Sequence, residues 1–305
     1  MNPAYQSRMT ERRHVRWHWP HLLLLAGIPL MATITQRLQW STSSALFGWL
    51  VFNLAVLALA ERWRPFRPEW QATPRHVRRD GAIGTLNLAT DAAASAALTA
   101  LVVAYLPGHS TWPLTVQIMV GLLVAEFGAY WMHRWSHSGH WLWRVHLLHH
   151  RPDRLNVANA ITAHPINAVY DKLVRVLPLL LLGLAPEAMV GIALFGLTQT
   201  LAVHANVAGS IGPLNRLVGS AELHRLHHST RAEEAGNYGT ALPLWDQVFG
   251  TYRRGDAPAR VGVFEPSRYP SEWRVGALLA WPFRKLLPCR GIACLARCCR
   301  GPHLA

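Results

Sequence analysis

LTVQIMVGLLVAEFGAYWMHRWSH, residues 114–137, is the stretch on which the fold turns. Residues 114–132 are apolar apart from Thr115, Gln117 and Glu126, and the run approaches the ~20 residues that carry a helix across a bilayer. It leads directly into His133 and His137. On a helix, positions i and i+4 share a face, so both imidazoles can point at one metal or at two adjacent metals. A membrane helix that ends in a ligand pair is the first expectation.

Three more apolar runs precede it, at 21–34, 45–60 and 86–106. The first follows a basic leader but no small-residue cleavage site follows it, so it reads as a retained helix rather than a signal peptide. A fifth run, 173–203, is interrupted by Pro178, Gly183 and Pro186, which predicts a helical hairpin. Hydrophobic residues make up 51% of the 305 and charged residues only 15%, against ~25% in an average soluble domain. The net charge is +14, and Lys172 and Lys285 are the only lysines. Arg12, Arg13, Arg16, Arg62, Arg64, Arg67, Arg78 and Arg79 border the apolar runs. That placement favours anionic lipid over nucleic acid and puts the leader and residues 61–80 in the cytoplasm. Two crossings then return the chain to the cytoplasm at His133, and the hairpin brings His204 back to the same side. The expected fold is all-α: a polytopic transmembrane helical bundle with a cytoplasmic helical cap holding a histidine-rich dimetal site. Residues 1–80 would form the basic leader and two transmembrane helices, 81–255 the catalytic part, and 256–305 an amphipathic segment with a Cys/Arg-rich tail.

The 17 histidines are informative through their spacing. His146, His149 and His150 stand at i, i+3 and i+4, and His224, His227 and His228 repeat the pattern, so each triplet is a ligand cassette on one side of a helix. Between them lie His164, followed by Pro165, and His204 at the end of the hairpin; both are candidates to close the coordination shell. His14, His18, His21, His76, His109, His140 and His303 read as ordinary histidines. Clustered imidazoles repel on protonation, and bound metal resolves that conflict. Imidazole suits zinc, copper, iron and nickel. All four cysteines, Cys289, Cys294, Cys298 and Cys299, lie far from the clusters, which disfavours thiolate-held zinc or an iron–sulfur centre; the tail is assigned no function. A structural zinc needs only four ligands, so this many histidines imply two metals.

These residues resemble the fatty acid hydroxylase and sterol desaturase superfamily of membrane di-iron oxygenases. The resemblance rests on His133-Arg-Trp-Ser-His137, Leu142-Trp-Arg-Val-His146-Leu-Leu-His149-His150, Ala163-His164-Pro165, His204-Ala-Asn206 and His224-Arg-Leu-His227-His228-Ser. Asn237-Tyr238-Gly239 and residues 242–252 also resemble the segment that follows the last histidine box. The resemblance implies two Fe ions, O2 as co-substrate, and hydroxylation or desaturation of a lipid C–H bond in an acyl chain, sterol or related molecule. It implies His133, His137, His146, His149, His150, His204, His224, His227 and His228 as ligands, with His164 as a tenth. Zinc, which binds such nitrogen sites more tightly than ferrous iron, would be an occupant on purification.

An alkyl C–H bond offers no acid–base handle, so a redox metal is required. With no dinucleotide fingerprint, haem-attachment motif or cysteine cluster for a ferredoxin-like centre, electrons are expected from an external ferredoxin or cytochrome type of donor. Arg144, Arg151, Arg154 and Arg231 are candidates to dock it, against their simpler reading as topology signals. Glu126, on one stripe with Tyr130 and His133, is a candidate to orient a ligand or else a structural partner; Asp91 reads as structural. Trp131, Trp135, Trp141 and Trp143 read as an interfacial belt. A protein of the bacterial inner membrane with its metals on the cytoplasmic side fits these expectations. The alternative is a histidine-rich membrane metal transporter or storage protein, against which stands the place of the clusters, beyond the apolar spans rather than at mid-membrane.

Overall fold

The computed structural model describes residues 17–105, 108–138, 141–231 and 233–284. The leader arginines, His14, His140, His303 and the four tail cysteines lie outside the described residues. Ten α-helices carry the described chain: α1 (Trp19–Arg37), α2 (Thr42–Trp63), α3 (Pro74–Tyr105), α4 (Leu114–Ser136), α5 (Trp141–His150), α6 (Pro165–Leu181), α7 (Pro186–Ala202), α8 (Ala221–His227), α9 (Leu244–Val248) and α10 (Val275–Leu279). Short 3-10 turns and isolated β-bridges accompany them, and no β-strand occurs among the described residues.

Three helices, α2, α3 and α4, are long and apolar enough to cross a membrane. The apolar runs before the hairpin predict four such spans; α1 is diluted by Pro20, His21, Thr33, Thr35 and Gln36 and does not join the three. The broken run is a hairpin. His164 caps α6, Pro165 opens it, and after a turn through Gly183 at φ +62° Pro186 opens α7. Gly183 has two reasons to be glycine: the left-handed backbone and Gly108 O, 2.6 Å from where a Cβ would stand. Each arm has 17 residues, about 25 Å of helix, short of the ~30 Å hydrocarbon core. The chain therefore enters and leaves the hairpin at one end of the bundle, the end at which α4 delivers His133.

This hairpin is the hub. α3 and α4 pack on its first arm, and α1, α2 and α4 on its second. Close approach of α4 to α6 needs Gly128, where a Cβ would lie 2.5 Å from Val174 O. A Gly128→Val variant is accordingly expected to push the two helices apart and lose about 1–3 kcal/mol, read as a lower thermal midpoint of the purified protein.

Charged groups inside the bundle are paired. Arg175 on α6 bonds Glu126 on α4 and Asp171 one turn back, the latter at 3.0 Å, while Lys172 reaches Asp91 on α3 at 3.0 Å. Glu126 thus takes its structural reading, paired through Oε1 with an arginine instead of orienting a histidine. At the metal end, Glu61 at the foot of α2 is buried, and its Oε1 accepts from the backbone N–H groups of Val157 (2.7 Å) and Asn206 (2.8 Å). Around it Leu57, Ala60, Val157, Leu201, Ala202 and Val207 form one apolar cluster, so the N-terminal helices are built into the same body as the histidine helices.

The segment 261–284 straps across α5. Val263 and Leu278 pack on Trp143, Leu147 and Leu148. Arg144 Nη2 donates to Trp281 O (2.7 Å) and Arg151 Nε to Pro270 O (2.6 Å). Arg154 donates to Asp153, and Arg231 pairs with Glu233 and Glu234. The four arginines considered for docking a donor are thus engaged within the chain, and two of them hold the strap down.

Candidate metal centre

Nine histidines meet at one end of the bundle, brought there by four pieces of chain. α4 ends on His133 and His137; α5 supplies His146, His149 and His150; the exit of α7 supplies His204; and α8 supplies His224, His227 and His228. α8 is started by Ser220, whose side chain accepts from Leu223 N, so the last cassette begins its helical turn at a defined residue.

The ring nitrogens fall into two groups. His133, His137, His146, His150 and His227 form one, His149, His204, His224 and His228 the other, and within each group the candidate ligand atoms lie within 4.8 Å of one another. Each cassette is divided. The i, i+4 pair of α5 (His146, His150) joins the first group and its i+3 member, His149, the second; in α8 the i, i+4 pair (His224, His228) joins the second and His227 crosses to the first. The two groups touch where His150 and His228 stack, with ring centroids 4.1 Å apart.

Hydrogen bonds fix the tautomers. Nδ1 of His133 donates to Tyr238 O (2.7 Å), of His149 to Thr162 O (3.2 Å), of His204 to Thr200 O (2.9 Å) and of His227 to Gly236 O (2.7 Å). A carbonyl oxygen only accepts, so the proton sits on Nδ1 and the Nε2 of each neutral ring is a bare lone pair. Nε2 of His149 and His204 nevertheless lie 3.2 Å apart. Nothing in that pair can donate, and two lone pairs at such a distance call for a cation between them. His224 Nε2 adds contacts of 3.1 Å to His204 and 3.0 Å to His228. In the other group His150 Nε2 lies 3.1 Å from His146 Nε2 and 3.2 Å from His227 Nε2, and a single proton cannot serve both. His133 Nε2 is buried without a hydrogen-bond partner.

Protons are poor candidates for that cation. Burial, then the neighbouring imidazoles, hold His146, His150, His224, His227 and His228 well below the usual histidine range, and burial brings His149 down to about 4. Neutral, buried, convergent nitrogens are what a borderline metal ion binds. The donor sets fit one ion each.

His164, expected as a tenth ligand, stands apart. Its Nδ1 accepts from Ile166 N (3.1 Å) and its Nε2 donates to Leu279 O (3.0 Å), so both ring nitrogens are engaged away from the two groups. It caps α6 and holds the C-terminal strap. Trp143 also departs from the belt expected of it: buried, its ring lies 5.5 Å from that of His137 and 5.7 Å from that of His150, whereas Trp135 and Trp141 are exposed. Two residues that sequence spacing leaves without a role are Tyr238 and Gly236, which act through their carbonyls; the Asn-Tyr-Gly signal is visible in the chain, but not what it does.

The geometry agrees with the comparisons. A family model described as fatty acid hydroxylase matches residues 118–251, which include all nine histidines. An ornithine lipid hydroxylase of Rhizobium tropici is 34% identical over 224 residues, 69% of this chain and 68% of that protein. Human alkylglycerol monooxygenase is 28% identical over 163 residues, 53% of this chain and 35% of its own length. A Delta(7)-sterol-C5(6)-desaturase of Nicotiana tabacum is 28% identical over 137 residues, 43% of this chain and 48% of its own. No solved structure matches the chain. A helical membrane protein with a histidine-rich metal-binding end is the class that the fold and site define. The chain belongs to the fatty acid hydroxylase and sterol desaturase superfamily.

Proposed function

We propose that this protein is a di-iron, O2-dependent oxidoreductase that hydroxylates a lipid at an unactivated C–H bond. The observation that carries the reading is the convergence of nine neutral imidazoles into two adjacent groups at the end of an apolar bundle. One iron ion would be held by His133, His137, His146, His150 and His227, the other by His149, His204, His224 and His228. When bound, the two ions supply the redox chemistry that an alkyl C–H bond demands and no side chain provides.

The chain's own residues do the rest. The carbonyls of Tyr238, Thr162, Thr200 and Gly236 hold four of the nine rings, those of His133, His149, His204 and His227, with the lone pair inward, which helps to keep the donor set assembled. Trp143, Val145, Leu147 and Leu148, all buried, keep water from that side of the site. The overall balance is R–H, O2, two electrons and two protons giving R–OH and H2O. The electrons come from an external one-electron carrier of the ferredoxin or cytochrome type. Hydroxylation is favoured over desaturation by the 34% identity to a protein named as a lipid hydroxylase.

The metal end is assigned to the cytoplasmic face of an inner membrane. Arg62, Arg64, Arg67, Arg75 and Arg78 lie around the end of α2 and the start of α3, and Arg67 N donates to Asn206 Oδ1, two residues from His204. Arginines gathered at that end satisfy the positive-inside rule.

Protein loaded with iron in lipid nanodiscs and supplied with a reductant and 18O2 is expected to hold two irons per chain and to place one 18O atom in the product lipid. Product oxygen drawn from water, or metal flux into liposomes without O2 consumption, would overturn the reading; the second result would establish a transporter.

A further inference from the structure

We propose that Asp246, outside the histidine set, is the positioning residue for one of the two metal groups and not for the other. The proposal rests on the reading of the nine histidines as ligands.

Asp246 is fully buried. Its Oδ1 accepts from Tyr238 N (2.8 Å) and the Thr251 hydroxyl (2.7 Å), and its Oδ2 accepts from Gly239 N (2.7 Å). Every partner donates, so the carboxylate is needed as an acceptor on both oxygens. The loop so gripped runs from Gly236 to Gly239. Asn237, at φ +52°, pins its middle: Nδ2 donates to Leu223 O and Arg253 O, and Oδ1 accepts from Arg253 N. There is no slack for a larger residue at Gly239, where a Cβ would lie 2.5 Å from Leu242 O and 2.8 Å from Asp246 Oδ2.

This loop presents two carbonyls to the site. Tyr238 O takes the Nδ1 proton of His133 and Gly236 O that of His227, each at 2.7 Å, the two shortest of the four carbonyl bonds that orient ligand rings. Both histidines belong to the five-membered group. The four-membered group is oriented from elsewhere: His149 by Thr162 O and His204 by Thr200 O. Asp246 therefore sets the rotation of two imidazoles out of five in one group and touches the orientation of none in the other. Thr251 extends the brace. Its own proton goes to Asp246, so its oxygen accepts from the Tyr130 hydroxyl at 2.9 Å. Tyr130 lies on α4 one turn before His133, and the contact ties the loop to the helix that carries that ligand.

Metal binding separates this role from a merely structural one. The native protein is expected to bind two Fe2+ per chain and Asp246→Asn one, with affinity in the five-histidine group lower by about 10–100-fold. Adding Asp246→Asn to His204→Ala, which removes a ligand of the other group, is expected to leave no tight metal; adding it to His137→Ala is expected to leave the four-histidine group filled. If Asp246→Asn does not fold, Thr251→Val takes its place, with Thr251→Ser as the variant that restores binding. Native-like affinity in both groups, or equal loss from both, overturns the proposal. A native protein that binds no metal at all would instead overturn the ligand reading on which it rests.

Discussion

His149→Ala and His227→Ala are each expected to leave one tightly bound metal in place of the two proposed for the native protein, and to lower lipid oxidation by about a thousandfold or more, roughly 4 kcal/mol of barrier. The two substitutions strike different groups, although each residue is the i+3 member of its cassette. His149 serves the four-histidine group and His227 the five-histidine group. His164→Ala is the contrast: with both ring nitrogens bonded to backbone, its loss is expected to leave both metals in place. Metal analysis of the three purified variants decides the matter, and a lost metal in His164→Ala would return it to the ligand set.

Acid is expected to unfold the metal-free protein well before it unfolds the metal-loaded one. In the unfolded chain imidazoles titrate near 6.5. In the folded, metal-free protein burial and neighbouring rings hold His146, His150, His224, His227 and His228 well below that, and His149 at about 4. Below pH 6.5 the unfolded chain therefore binds more protons than the folded one. Stability present above pH 6.5 is lost as the pH falls toward 4, at up to about 1.4 kcal/mol per pH unit for each such imidazole. Thermal midpoints followed by tryptophan fluorescence between pH 7.5 and 4.5, with and without metal, test this; identical acid profiles would contradict it.

Much of the site is legible in the sequence because ligand spacing is a local property. An i, i+3, i+4 pattern marks a helical face whatever surrounds it, and nine of the ten expected histidines do meet. The division of each cassette between two groups is not legible, because it depends on how α5 and α8 face one another. His164 misleads for an identifiable reason: a histidine directly before proline also fits the start of a helix, with Pro165 in the first turn, and a cap and a ligand look alike in one dimension. Glu126 cannot be matched to Arg175 from the sequence, since 49 positions separate them. The arginines beside the clusters look like free charge in the sequence; Arg144 and Arg151 commit it to carbonyls of the strap. For the fold, Pro178, Gly183 and Pro186 announce the hairpin, while the polar residues of α1 remove one of the expected spans.

The outermost helix has a practical consequence. Only 6% of the apolar window of α3 is buried within the protein, and its side-chain ties inward include the Asp91–Lys172 pair and the Asn87 amide on Ile161 O, at 3.2 Å. An ion pair of this kind gains strength as the surrounding dielectric falls. Solubilisation in a small, wet micelle should loosen this stave first, and extraction with a native lipid annulus should keep it seated.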